Sequence, residues 1–278
     1  TDYIHGDDIE VSAEASYFFG GPVADGEVRW RVLRQPYVFD RWQGEGFYSF
    51  VDDDVDGDYP HTSPLGGMVA EGTGKTDARG EFTLSLPADI ADQTQSQHYT
   101  VEISITDVNN QEVTARAAAI VHKGAFYTGL MATRYVGVAG QEQEVQILTV
   151  DTRGEIHPRQ RLQVTFYRRE WLSVREQADD GNYYWSNTAR DTAVATRTVT
   201  TDAAGMATTS FVPPEGGTYR VVATGLDEGE NEVRSALYLW VSGDEFINWG
   251  QRNTDRIELV TDKKEYRPGD IAEILVAS

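Results

Sequence analysis

Cysteine is absent from the 278 residues. That excludes a disulfide framework, a thiolate metal site and a cysteine nucleophile within them. Lysine is scarce: Lys75, Lys123, Lys263 and Lys264 are the only four, so twenty of the 24 cations are arginines. Acidic residues outnumber basic ones by 45 to 24, for a net charge of −21. A surface that negative repels phosphate backbones and anionic lipid headgroups, which argues against nucleic acid and against electrostatic membrane docking. No apolar run approaches the ~20 residues of a membrane span, so this stretch is not expected to insert directly into a membrane. The opening TDYIHGDDIEVSAEAS carries neither the basic nor the apolar region of a secretory signal. The five histidines, His5, His61, His98, His122 and His157, are scattered without a spacing suited to zinc. Serine-hydrolase, Walker and dinucleotide-binding glycine patterns are missing. No catalytic residue is assigned, and enzymatic activity is not expected.

What the chain has in abundance is alternation. Ile9, Val11 and Ala13; Val28, Trp30 and Val32; Phe82, Leu84 and Leu86; Tyr99, Val101, Ile103 and Ile105; Leu162, Val164 and Phe166; and Leu237, Leu239 and Val241 recur at every second position. Short period-two runs separated by Gly, Asp and Pro mark antiparallel strands with one face buried and one wet. The expected class is all-β. The chain also repeats itself. Gly6, Gly20, Val28, Trp30 and Val32 recur 134 residues later as Gly140, Gly154, Leu162, Val164 and Phe166. TDARGEFTLSLP at 76–87 returns as TDAAGMATTSFVP at 201–213, and Tyr99, Val113 and Val121 return as Tyr219, Val233 and Val241. The sequence therefore predicts tandem antiparallel β-sandwiches of immunoglobulin or fibronectin type over 1–122 and 123–243. Residues 244–278 read as a linker and the first strands of a third unit. The chain stops inside a strand pattern, YRPGDIAEILVAS, and so reads as a piece of something longer.

Three stretches are candidates for function. VDDDVDGDYPH at 51–61 places Asp52, Asp54 and Asp56 at alternate positions before Gly57 and Asp58, as in the first half of a calcium-binding loop. Position 12 of such a loop falls on Ser63, which cannot supply a bidentate carboxylate. The loop thus reads either as a free-standing calcium site, the one cofactor considered, or as a solvated turn. PYVFDRWQGEGFYSF at 36–50 and FYRREWLSVREQADDGNYYW at 166–185 are aromatic stretches at matching places in the two repeats. They read either as a platform for sugars or protein, or as long hairpins packing a sandwich edge or a neighbouring domain. Recurrence favours packing. The interface candidates are Trp42, Tyr48 and Phe50 in one repeat and Trp171, Tyr184 and Trp185 in the other.

SYFFGGPVADGEVRWRV, EGTGKTDARGEFTLSLPA, GAFYTGL, PPEGGTYRVVATGLDEGENEVRSALYLWVSG and LVTDKKEYRPGDIAEILVAS, in this order and spacing, resemble the macroglobulin-like domains of bacterial alpha-2-macroglobulins. The resemblance spans essentially the whole chain, most clearly in YLWVSG (238–243) and DKKEYRPGD (262–270). It implies a parent that is a broad-spectrum protease trap: a target protease cuts an exposed bait segment, the macroglobulin domains rearrange, and in many members a Cys-Gln thioester captures the protease. This chain has no cysteine and so no thioester, which makes it scaffold lying before the bait. The implied partners are other domains of the same parent and, through the whole parent, target proteases. The implied location is outside the cytoplasm. A cell-surface adhesin or carbohydrate-binding array using the aromatic stretches is the alternative.

Overall fold

The computed structural model describes residues 1–52, 66–177, 183–243 and 258–277. Among these lie seventeen strands and no helix. They divide into two compact units, Thr1–Val38 with Tyr59–Ala125 and Phe39–Asp58 with Phe126–Ser278. The sequence repeat and the structural unit are therefore out of step: 39–52 lies inside the first repeat but builds the second unit.

The first unit holds β1 (Asp2–Ile4), β2 (Asp8–Glu14), β3 (Glu27–Pro36), β4 (Gly67–Lys75), β5 (Glu81–Pro87), β6 (Gln97–Thr106) and β7 (Glu112–His122). A five-stranded sheet of order β1-β7-β6-β3-β4 faces the β2-β5 pair. The alternating positions of β3 and β6 pair in register, Val28 with Ile105 and Val32 with Val101, so one face of the sheet is continuously apolar. With Ile9, Ile90, Tyr99 and Val121 they form the core. Each large apolar side chain so buried contributes about 1.5–3 kcal/mol.

The second unit repeats this plan with β8 (Phe126–Ala132), β9 (Val136–Val138), β10 (Gln143–Asp151), β11 (Arg161–Gln177), β12 (Tyr183–Thr200), β13 (Met206–Phe211), β14 (Gly217–Leu226) and β15 (Glu232–Ser242). Its sheets run β12-β11-β14-β15-β9 and β13-β10-β8. The parallel pairing of β1 with β7, Tyr3 opposite Val121, recurs in β9 and β15 as Gly137 opposite Val241. Tyr99 donates its hydroxyl to the Asp89 carbonyl and Tyr219 donates to that of Glu215, the same corner in both units. The core here includes an aromatic pair, Phe166 stacked on Phe211 at 4.3 Å. In the stretch expected to open a third unit, β16 (Glu258–Thr261) and β17 (Ile274–Ala277) pair antiparallel.

One device turns the chain five times. The carboxylates of Asp77, Asp107, Asp151, Asp202 and Asp227 each accept the backbone N–H groups two and four residues on, at 2.8–2.9 Å. Aspartate is suited to this because its short side chain reaches its own backbone. The Glu81 N–H holds the Asp77 carboxyl below its ordinary value, and the Gln111 N–H does the same for Asp107. Burial pushes Asp151 upward, but Arg153 and two backbone amides outweigh it, so its net shift is also downward.

Candidate functional site

Residues 39–52 form a strap over the second unit. Phe39, buried at its start, stacks on Tyr127 at 4.1 Å and tilts against Phe50 at 5.0 Å. Arg41 donates to the Thr152 carbonyl at 2.8 Å. Gly46 turns the strap with φ +90°, and Trp42 meets Tyr48 edge to face at 6.5 Å. Burial raises the Tyr48 phenol above its ordinary value. Gly129 on β8 makes room for the strap, since a Cβ there would come within 2.8 Å of both Tyr48 and Phe50.

The strap then closes a seam between the two sheets. Ser49 exchanges backbone hydrogen bonds with Leu130 on the free edge of β8, at 2.8 and 2.9 Å. Two residues later the Val51 carbonyl accepts the N–H of Ala236 on β15 at 2.8 Å, and Ser49 Oγ donates to the Ala236 carbonyl at 3.0 Å.

Asp52 ends the strap on the outer face of the five-stranded sheet. Its Oδ1 accepts from Arg220 Nη2, and Arg234 Nε lies 2.5 Å from its Oδ2. Arg220 Nη1 reaches Asp191 at 3.4 Å, and Arg169 grips the same carboxylate with both fork nitrogens at 2.7 Å. Arg169 also donates to the Tyr238 hydroxyl at 2.9 Å and stands 5.4 Å from the ring centres of Trp171 and Tyr238. Arg169, Arg220 and Asp52 are each less than a tenth exposed. Three cations share two carboxylates here, and charges taken out of water require such pairing. The cluster supports no proton-transfer or nucleophilic chemistry; its geometry is that of a clamp.

The sequence-derived candidates are thus distributed as follows. Tyr48 and Phe50 pack into the second unit, with Trp42 half-buried beside them. Trp171 lies half-buried beside Arg169, and Tyr184 is exposed with its hydroxyl donating to Glu176 at 2.9 Å. Trp185 pairs through its backbone with Arg175. The two aromatic stretches are not equivalent in structure. Residues 166–177 and 183–185 belong to the β11-β12 hairpin, which continues past the end of β14 pairing at Arg169, whereas 37–52 makes no hairpin and crosses to the other unit. Of the acidic loop, Asp52 has both carboxylate oxygens on arginines; Asp54, Asp56 and Asp58 lie outside the described residues, as does the Asp-Asp-Gly turn of the second repeat. Sequence reasoning missed Arg169, Asp191, Arg220, Arg234 and Tyr238. For Arg220 alone the sequence carries a signal: in GTYRVVATG at 217–225 the apolar Val222 shares its face while Tyr219, Val221 and Ala223 fill the other, a strand apolar on both faces.

Comparison with known proteins follows the same outline. Residues 133–241 match the model of bacterial macroglobulin domain 6. The chain is 26% identical over 289 aligned positions to an alpha-2-macroglobulin homolog of Nostoc, an alignment covering 98% of this chain and 14% of that protein. Its fold is similar to a region of Escherichia coli alpha-2-macroglobulin in the native conformation, with a TM-score of 0.59 and 19% identity over 100% of this chain and 18% of that one. It is likewise similar to the Escherichia coli protein activated by porcine elastase, with a TM-score of 0.60 and 17% identity over 94% of this chain and 22% of that one. The chain therefore spans about a seventh of the length of its curated relative.

Proposed function

We propose, on the premise that this chain belongs to the bacterial alpha-2-macroglobulin family, that it is structural scaffold in a broad-spectrum protease trap acting outside the cytoplasm. It binds no substrate of its own and catalyses nothing. Its partners are the other domains of its parent and, through the whole parent, the proteases that cut the bait. The alignment over nearly the whole chain with an alpha-2-macroglobulin homolog is the observation that carries this reading.

The strap supports the mechanical part. A trap must convert a cut in one segment into a rearrangement of many domains, and packed units with discrete contacts transmit such a change better than soft ones. Here the 39–52 stretch of the first repeat is built into the second unit by backbone pairing, aromatic stacking and a buried ion pair. The test is to incubate the full-length parent with a protease and follow cleavage of a small and a large substrate. Retained activity on the small substrate, with loss of access to the large one after bait cleavage, is expected. Equal access to both would overturn the trap.

A further inference from the structure

The two units fill one corner of the sandwich differently. β5 pairs with β2 as β13 pairs with β10, with Ile9 opposite Leu86 in the first unit and Gln143 opposite Phe211 in the second. On the facing sheet, Val32 opposite Val101 matches Phe166 opposite Val221. The second unit therefore has two phenylalanines where the first has Val32 and Leu86. Phe166 and Phe211 are buried against each other, and Phe211 leans on Tyr219 at 5.3 Å. Leu86 is only half-buried, and beside it opens a cleft of about 430 Å³, walled by Val69 and Ala70 of β4 and by Leu86 and Pro87 of β5. Trp30, which the first unit has in place of Val164, lies against Gly72 and is not part of that wall.

The rim of the cleft departs from the repeat as well. In the second unit Arg168 meets Glu215, whose carbonyl accepts the Tyr219 hydroxyl. In the first unit the matching Arg34 holds Asp92 with both fork nitrogens, at 3.2 and 2.8 Å, and Tyr99 donates to the carbonyl of another acid, Asp89. Tyr99 follows Leu86 by thirteen residues and Tyr219 follows Phe211 by eight, and the longer loop carries the second acid. Lys123, which is not part of the wall, ties this loop down through the carbonyls of Ile90 and Gln93 at 3.0 and 2.7 Å. The Asp89 carboxylate accepts the Ala91 N–H at 3.0 Å and lies 3.8 Å from His5 Nδ1, and its side chain is 68% exposed. Arg34 against Asp89 and Asp92 leaves the lining one negative charge in excess.

We propose that this cleft binds a small aromatic amine, with its ring on Leu86 and Tyr99 and its ammonium beside Asp89. A ring fits because the second unit gives the same place to the ring of Phe211, and a cation fits because the rim is acidic. Apolar walls with a few polar groups, in a volume of roughly 300–1,000 Å³, are the usual make-up of a small-ligand site. Both features belong to one copy of the repeat, whereas what the fold itself requires recurs in both. The site does not depend on the trap reading and would stand if that reading failed.

The test is calorimetric titration of the 278-residue protein with tryptamine, against indole-3-propionate, which has the same ring system and the opposite charge. Tryptamine is expected to bind in the millimolar range, and indole-3-propionate about threefold or more weaker. Leu86→Phe puts the second unit's ring into the cleft and should weaken tryptamine about tenfold; Asp89→Asn removes the exposed charge and should weaken it about threefold. Asp89 is on the surface, so its variant keeps the fold and decides the question if Leu86→Phe does not fold. Any of three results overturns the proposal: no tryptamine binding at about ten millimolar, equal binding of the two ligands, or tryptamine binding unchanged in either variant that stays folded.

Discussion

Asp52 and Arg220, 168 residues apart in sequence, meet as a buried ion pair on the outer face of a β-sheet. Arg220 cannot return to water once the strap lies over it, so the strap's carboxylate is a condition of that face being closed. Arg234, on the other oxygen of Asp52, has a side chain 39% exposed.

The two sides of Asp52 should therefore behave differently. Replacing Asp52 by Ala strands a buried guanidinium, and we expect a loss of about 3 kcal/mol, the lower end for breaking a buried pair because Asp191 still reaches Arg220. Arg234→Ala removes a partly solvated partner and should cost under about 1 kcal/mol. Urea unfolding of both variants measures the contrast; equal costs would mean that burial of Arg220 does not set the strength of the clamp.

Gly129 has room for Tyr48 and Phe50 because it has no side chain. Gly129→Val should lift the strap and cost about 1–3 kcal/mol by overpacking. The readout is trypsin cleavage after Arg41, which should speed up severalfold. An unchanged rate would show that the strap is held elsewhere.

The aspartate turns set the acid limit of the fold. Asp77, Asp107 and Asp151 have folded values below their ordinary ones, so in acid the unfolded chain binds more protons. Their contribution is complete above the usual carboxylate range and fades as pH falls through the folded values. Asparagine in all three positions keeps an acceptor for the turn amides and has nothing to titrate. The triple variant should show a flatter fall of the urea midpoint with acid than the parent. Identical slopes would locate the acid sensitivity in other carboxylates.

Calcium should leave the melting temperature unchanged. A ligand at 100 times its dissociation constant adds about 2.7 kcal/mol, which a melt in millimolar calcium against chelator resolves readily. The first position of the acidic loop, Asp52, is already committed to two arginines. A melting temperature raised by calcium would favour the metal-loop reading, with its ligands downstream of Asp52.

Most of the architecture was legible in the sequence. Val28, Val32, Val101 and Ile105 announced paired strands by alternation alone, and the strands at Glu81 and Met206 begin where the two TDA turns place them. The family resemblance was carried by the same turns and strands. What alternation could not show was the state of the second face. Arg220 sits on a position that a one-sided sheet leaves wet, and it is buried where Asp52, from a segment more than a hundred residues away, meets it. Nor could it show that PYVFDRWQGEGFYSF, which resembles a hairpin in composition, would leave its own sandwich. A local pattern records which residues avoid water and is silent on which distant segment provides the cover.

Synthesis gives that distance a meaning in time. A ribosome adds about 5–20 residues per second, so the strap is made roughly 8–34 seconds before Arg220, 168 residues later. For roughly the first half of that interval Phe39 and Phe50 have been translated while Tyr127 and Gly129, against which they pack, have not. The second sandwich therefore cannot close strictly in the order in which it is made: the carboxylate of Asp52 waits for a guanidinium 168 residues downstream.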